Sequence, residues 1–231
     1  MWTAWIRFRQ RFLTNAFKPL IAKVKFKYVG LSAVFVLFGI LICQETDLLT
    51  IVKKELYSYL TYTDKLPGEE SFDGVYILGG SQASLKEKYK TVARLYAREI
   101  CKEIDIPSRK GKTEYCRALR RNLTNDEWSL RILNKYRVPT ENVKIVNVAP
   151  GFFGTYSEAR GVSRIAEEKG WKSLLLITSP HHTKRVKKSF AHFLKGTKVD
   201  IWVVGSDYRR GFFELLNEFV KLIFYQIFLL R

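Results

Sequence analysis

Apolar segments that alternate with helical ones are the feature that most constrains how this chain can fold. Four short segments are apolar enough to be buried strands: GVYIL from Gly74, VKIVNV from Val143, SLLLIT from Ser173 and VDIWVV from Val199. A weaker strand is predicted from Cys101 to Ile106. Strands buried on both faces and joined by helices form parallel sheets that are covered on both sides. The sequence therefore predicts a Rossmann-like, doubly wound α/β domain, with a mostly parallel sheet, over residues 72–231.

Helical spacing of apolar residues fills the intervals between these strands. We expect helices over about 84–100, from Asn125 to about Tyr136, from about Thr155 to Gly170, from about His182 to Leu194 and from about Phe212 to Leu230. The segment from Ser108 to Leu123 is polar and basic, which favours a loop.

A run of 17 uncharged residues, 28–44, precedes this domain and is near the shortest length that crosses a bilayer. Lysines lie directly before it and Glu45 and Asp47 follow it, so the positive-inside rule places the N-terminus in the cytoplasm. The sequence thus predicts a basic cytoplasmic arm at 1–27, a single transmembrane helix at 28–44, a stalk or linker at 45–71 and an exported α/β domain. The alternative is a buried hairpin helix of a soluble protein.

The net charge of +18 indicates an anionic partner. Residues 1–44 contain seven Lys and Arg and no Asp or Glu, which favours the surface of an anionic bilayer. An exported domain meets little nucleic acid, so we expect no nucleic-acid partner. Outside the predicted anchor, Cys101 and Cys116 either form a disulfide or remain free. No close pair of Cys and His completes a metal site, so no metal is predicted.

Polar loops follow three of the predicted strands, at the sheet edge where open parallel sheets bind ligands. They contain Gly79-Gly80-Ser81, the segment GFFGTYSEA from Gly151 and the segment SPHHTKR from Ser179. The glycines allow a close approach of backbone N–H groups to an anion, and the helix that begins near Thr155 offers further N–H groups.

The charged residues of these loops suggest proton transfer beside an anion. His182 and Arg185 share a helix face at i and i+3, and a guanidinium can hold an anion with two hydrogen bonds. Glu158 can act as a base or orient His182. Each feature has a structural alternative: the glycines form a plain turn, Thr155 with Glu158 forms a capping box, and His181 only fills the bend after the strand.

Common enzyme motifs are absent from the sequence, since it has no G-x-S-x-G, no Walker A loop and no G-x-G-x-x-G. Three motifs are present in a fixed order. A strand ends in Leu-Gly-Gly at Gly80, Thr155 is followed at three positions by Glu158, and Thr178-Ser179 is followed by His182 and Arg185. In this combination the chain resembles, over roughly residues 72–225, the YdcF-like family, which includes the SanA/ElyC-type envelope proteins.

The resemblance implies a cell-envelope protein with a single anchor, and two departures from the family pattern concern the cleft. Many members have Asn where this chain has Gly154, and many have a Ser-Gly-Gly turn after the second strand. Glu114 is the candidate acid in the replaced segment. The predicted catalytic residues, which the loop chemistry and the resemblance both indicate, are Glu158, His182 and Arg185. The predicted ligand-binding residues are Gly79, Gly80, Ser81, Glu114, Thr155, Ser179 and His181.

The leading hypothesis is a protein at the outer face of the inner membrane that binds or processes a phosphorylated envelope precursor, free or lipid-linked. If it catalyses a reaction, it is a hydrolase or transferase. The resemblance also leaves two alternatives. The domain is a binding module for a nucleotide-like ligand such as S-adenosylmethionine, or it is a scaffold for envelope enzymes without a reaction of its own. The residues by themselves indicate no cofactor.

Overall fold

The computed structural model describes residues 47–67, 71–101, 103–149, 151, 153–208 and 211–230. The predicted arm at 1–27 and the predicted anchor at 28–44 lie outside these residues. Among the helices that are described, none has both the length and the apolar character needed to cross a bilayer. The chain divides into two compact units, 1–52 and 53–231, and the sheet belongs to the second.

Five parallel strands form the central sheet and confirm the predicted α/β class. They are β1 (Gly74–Ile77), β2 (Ile104–Pro107), β5 (Val143–Val146), β6 (Ser173–Thr178) and β7 (Asp200–Gly205). Their order across the sheet is β5-β2-β1-β6-β7, so the strand order reverses beside β1. The register pairs Val75 of β1 with Ile104 on one side and with Leu175 on the other.

Six α-helices accompany the strands in the described residues. They are α1 (Asp47–Leu60), α2 (Gln82–Tyr96), α3 (Asn125–Lys135), α4 (Gly154–Glu168), α5 (Thr183–Phe193) and α6 (Phe212–Phe224). Short 3₁₀ turns, Thr140–Asn142 and Pro180–His182, precede β5 and α5, and a π-helical turn, Tyr225–Leu229, follows α6.

Two apolar cores, one on each face of the sheet, explain the continuous apolar strands. Val75 and Ile77 of β1 pack with Tyr89 and Val92 of α2, while the intervening Tyr76 joins the core on the other face. That second core contains Ala159 and Val162 of α4 and Val186 and Phe190 of α5. Because successive side chains of a strand point to opposite faces, a strand covered on both sides needs apolar residues at every position.

The predicted loop from Ser108 to Leu123 is wrong, because this segment contains an antiparallel hairpin. Its strands are β3 (Lys112–Cys116) and β4 (Arg121–Thr124). Only Cys116 and Leu123 of the hairpin are buried, so the alternating pattern that would have marked the strands is almost missing. The predicted boundaries also differ at β2, which begins at Ile104 and includes Pro107, since Ile100 and Cys101 are buried in the preceding turn.

Residues 53–67, which belong to the segment predicted as a stalk, pack against the α/β domain. Leu60 is buried with Leu215 and Leu222 of α6. Further along, the Asp64 carboxylate accepts hydrogen bonds from the backbone N–H of Val203 at 2.8 Å and from Nζ of Lys187 at 2.9 Å. These contacts fix the chain along the edge strand β7.

We expect Asp64→Ala to lower the free energy of unfolding by about 1–3 kcal/mol, because it leaves a backbone N–H and a lysine without their carboxylate. Urea denaturation of the full chain measures the change. Asp200→Ala is the matched control, since Asp200 is exposed at the start of β7, and it should change stability by less than about 0.5 kcal/mol. Equal losses in the two variants would contradict this role of Asp64.

Candidate functional site

The carboxyl ends of β1 and β6 lie side by side where the strand order reverses. Ligands bind at this position in open parallel sheets. Gly79 follows β1, Ser179 follows β6, and Thr155 and Glu158 lie in the first turns of α4. The structure therefore brings the three predicted loops to one edge of the sheet.

Glu158 connects α4 to the end of β1. Its Oε1 accepts a hydrogen bond from the Tyr76 hydroxyl at 2.7 Å and another from the backbone N–H of Gly79 at 2.9 Å. The N-cap of α4 is Phe153 and no described side chain caps the helix, so the capping-box interpretation of Thr155 and Glu158 is wrong. Glu158 is thus placed by tertiary contacts and lies at the cleft.

Tyr76 supports Glu158 from inside the core. Burial, and then the charge of the Glu158 carboxylate, raise the pKa of Tyr76 well above its usual value. The phenol therefore stays protonated and keeps donating its hydrogen bond to Glu158.

Arg185 is buried and joins three helices. Its Nε and Nη2 donate to the two carboxylate oxygens of Glu218 on α6, the second at 3.1 Å, and its Nη1 donates to Oγ1 of Thr155 on α4. The guanidinium also lies over the ring of Tyr225, 5.0 Å from the centroid. The carboxylate of Glu218 already neutralises the charge of Arg185. The contacts of Arg185 are therefore those of a residue that positions other groups. The anion contact predicted for it stays a prediction.

His182 forms a cluster with Arg185, Glu218 and Thr155, and it is the accessible member of this cluster. Its Nδ1 lies 2.8 Å from Oε2 of Glu218 and 3.2 Å from Nη2 of Arg185. The shorter distance assigns the Nδ1 proton to a hydrogen bond donated to Glu218, which leaves Nε2 as the proton acceptor. The side chain of His182 is 29% exposed, against 8% for Arg185 and 2% for Glu218. A ligand can therefore reach His182 and not the ion pair behind it.

The electrostatics keep His182 neutral and Glu218 ionised. Burial is the main cause that lowers the pKa of His182, and its hydrogen bond to Glu218 offsets only part of that effect. Burial opposes the ionisation of Glu218 too, but the hydrogen bond from His182 and the charge of Arg185 outweigh it and lower its pKa to about 2. The result is a neutral imidazole oriented by a carboxylate, which is the arrangement of a general base.

Two cations that sequence reasoning missed lie beside the Gly79-Gly80 turn. Lys88 of α2 is buried, and its Nζ donates to the carbonyl oxygens of Leu78 at 2.9 Å and Gly79 at 2.7 Å. Arg109 donates from Nη1 to the carbonyl oxygen of Gly80 at 3.0 Å. Its Nη2 is shielded from solvent and has no hydrogen-bond partner among the described residues.

A cavity of about 230 Å³ lies between the Gly79 turn and the start of α4. Arg109 and Glu158 are its charged lining residues, and Pro107, Val148 and Ala149 form an apolar wall. Gly79, Gly151, Gly154 and Ser157 complete the lining. The cavity thus offers one cation and one carboxylate to a small polar ligand.

The remaining predicted site residues lie apart from this cavity or support its walls. Ser81 caps α2, accepting from the backbone N–H of Ser84. Ser179 and His181 are buried in the turn before α5, and the rings of His181 and His182 lie 4.1 Å apart. Glu114 is exposed on β3, and no hydrogen bond or ion pair within the described residues connects it to the cluster.

The cysteines and the carboxylates give no further site. Cys101 and Cys116 are both buried free thiols, so the structure contains no bond between them. Burial raises the pKa of Cys101 to about 12, which makes it a poor nucleophile. Within the described part of the chain, no group of three or more His, Cys, Asp and Glu is placed to hold a metal ion.

Glu218 is the main residue that the sequence did not reveal. It lies on α6, 33 positions after Arg185 along the chain. The available signal was a single carboxylate between Leu215 and Leu222 on the buried side of an apolar helix, since such a residue needs a buried partner.

Comparison of this chain with models of known protein families and with curated proteins finds no match.

Glu218→Gln should lower the free energy of unfolding at neutral pH by about 3 kcal/mol, because the pKa of Glu218 falls from its usual 4.5 to about 2 on folding. The carboxylate stabilises the fold above about pH 4.5, and this contribution is lost as the pH falls toward 2. Urea denaturation between about pH 7 and pH 3 measures the effect.

The variant should therefore show a flatter pH dependence below about pH 4.5 than the parent chain. Exposed Glu141 supplies the control, and Glu141→Gln should follow the parent curve. An unchanged curve for Glu218→Gln would exclude an ionised, buried Glu218.

Proposed function

We propose that this chain is a membrane-anchored protein of the YdcF-like type that binds and processes a phosphorylated, lipid-linked precursor of the cell envelope. The observation that carries the chemical part is the neutral, accessible His182, held by the ionised Glu218 at the carboxyl edge of a parallel sheet. The membrane and envelope parts rest on the uncharged segment 28–44, its charged flanks and the family resemblance.

The cavity next to this cluster has features that suit a phosphorylated ligand. Arg109 lines the cavity and brings a positive charge to it, and guanidinium groups pair well with phosphate oxygens. The first turn of α4 borders the same cavity and has no side-chain cap among the described residues, so its N–H groups add a favourable dipole. Gly79 and Gly154 leave room for a close approach of the ligand.

In the proposed reaction, Nε2 of His182 accepts the proton of a water or of an acceptor hydroxyl. The oxygen then attacks phosphorus, the bridging P–O bond breaks, and its electron pair leaves with the departing phosphate. Glu218 stabilises the imidazolium that forms, because its carboxylate faces the Nδ1 proton. Arg109 stays on the phosphoryl oxygens and holds the group in the cavity.

The test of the reaction uses the full chain in detergent with undecaprenyl diphosphate, and measures released phosphate. His182→Gln should lower the rate at least about a hundredfold, the usual effect of removing a general base. The acid limb of the rate profile should lie below about pH 6.5, since protonation of His182 removes the base and its pKa is lowered.

Glu141→Gln is the control, because Glu141 is exposed in the 3₁₀ turn before β5, outside the cluster. It should keep the parent rate. No phosphate release by the parent chain, or an equal rate in His182→Gln, would exclude this reaction.

Binding gives an independent prediction through Arg109. Arg109→Gln should weaken the affinity for undecaprenyl phosphate about tenfold or more, because a charged hydrogen bond to phosphate is lost. Arg98→Gln removes an exposed arginine of the turn after α2 and should leave the affinity unchanged. Microscale thermophoresis in detergent measures both affinities. An affinity of Arg109→Gln equal to that of the parent chain would mean that the phosphate does not bind at Arg109.

A further inference from the structure

A stripe of exposed apolar side chains runs along α6. Phe213, Leu216, Val220 and Phe224 follow one another at intervals of three and four residues, so they share one side of the helix. Phe213 is 62% exposed and Val220 is 58% exposed. In the π-helical turn that follows, Phe228 is 66% exposed.

The opposite side of α6 is already buried, because Leu215 and Leu222 pack with Leu60 of α1. The helix is therefore apolar on two sides, and other described residues cover only one of them. Contiguous exposed apolar side chains of this kind mark an interaction surface.

A basic groove of about 650 Å³ adjoins the end of this stripe. It lies between α5 and the π-helical turn, and its lining residues are Lys188, Ala191, His192, Lys195, Gln226 and Leu230. None of these six described lining residues is a carboxylate, so the two lysines favour an anionic group. Gln226 and Leu230 of the groove lie within two residues of the exposed Phe228, so the groove lies at the C-terminal end of the stripe.

We propose that this surface, the α6 stripe with the adjoining basic groove, docks on an anionic phospholipid bilayer. Phenylalanine and aliphatic side chains enter the boundary between headgroups and acyl chains, while Lys188 and Lys195 meet lipid phosphates. The proposal rests on the membrane location proposed above. The lysine groove and the net charge of +18 favour a lipid surface over an uncharged protein partner.

The same surface reaches the candidate site. The ring of Phe224 in the stripe lies 5.3 Å from the ring of Phe153, which precedes the cavity-lining Gly154. Glu218 projects from the buried side of the same helix and orients His182. Docking of α6 would thus place the mouth of the cavity near the bilayer, where a lipid-linked phosphate resides.

Photochemical cross-linking in vesicles tests the docking. The full chain is reconstituted into vesicles of phosphatidylcholine with about one third phosphatidylglycerol, with the photoreactive benzoylphenylalanine in place of Val220. A matched protein carries it in place of Glu141, which is exposed in the 3₁₀ turn before β5, the edge strand opposite β7. We expect lipid adducts, identified by mass spectrometry, at position 220 and not at position 141.

Flotation of the vesicles separates this proposal from the anchor. A chain that floats but forms no lipid adduct at position 220 overturns the docking and leaves the anchor standing. A chain that does not float overturns both. Adducts at position 220 with protein instead of lipid also overturn the proposal, in favour of a protein partner.

The contribution of the groove is tested by combining Lys188→Glu with Lys195→Glu. The double variant should reduce the lipid adduct at position 220 about fivefold or more, because each lysine near an anionic surface adds roughly a fivefold preference. The loss should disappear in vesicles of phosphatidylcholine alone. An undiminished adduct in the anionic vesicles would remove the groove from the docking surface.

Discussion

The buried ion pair of Arg185 with Glu218 is the interaction on which the candidate site depends. The two groups come from α5 and α6, and Thr155 of α4 takes a further hydrogen bond from the same guanidinium. Removing such charges from water costs several kcal/mol, which only good geometry and additional hydrogen bonds offset. Here the bidentate contact, the bond to Thr155 and the ring of Tyr225 provide that compensation. The three helices that surround the cleft are therefore fixed relative to one another by charge as well as by apolar packing.

The first turns of α4 contact both the cluster and the cavity. Thr155 binds the ion pair, whereas Glu158, one turn later, binds the end of β1 and borders the cavity. The residue that binds Arg185 and a lining residue of the cavity thus lie one helical turn apart on α4. Thr155, Glu158, Arg185 and Glu218 all lie on α-helices, and placement on such rigid elements favours a preorganised site.

The central sheet could be predicted because its inner strands β1, β2 and β6 are covered on both faces. GVYI and SLLLIT need no context to be recognised as buried, and the loops after them mark the binding edge. The hairpin of β3 and β4 could not be predicted, since it buries only Cys116 and Leu123. Among the site residues, His182, Arg185 and Glu158 were found by their loops. Glu218, Lys88 and Arg109 were missed because they lie on other elements, and only the packing of those elements brings them to the cleft.

The position of Glu218 on α6 has a consequence for how the domain matures. A chain emerges from the ribosome in order, and its domains fold as they become available. The sheet and α5 are complete before α6 has been made, so during that interval Arg185 lacks its carboxylate and His182 has nothing to fix its tautomer. The nascent domain can assemble its cores, but it holds no oriented base. The ion pair of Arg185 with Glu218, and with it the fixed orientation of His182, therefore forms only once α6 has docked against α5.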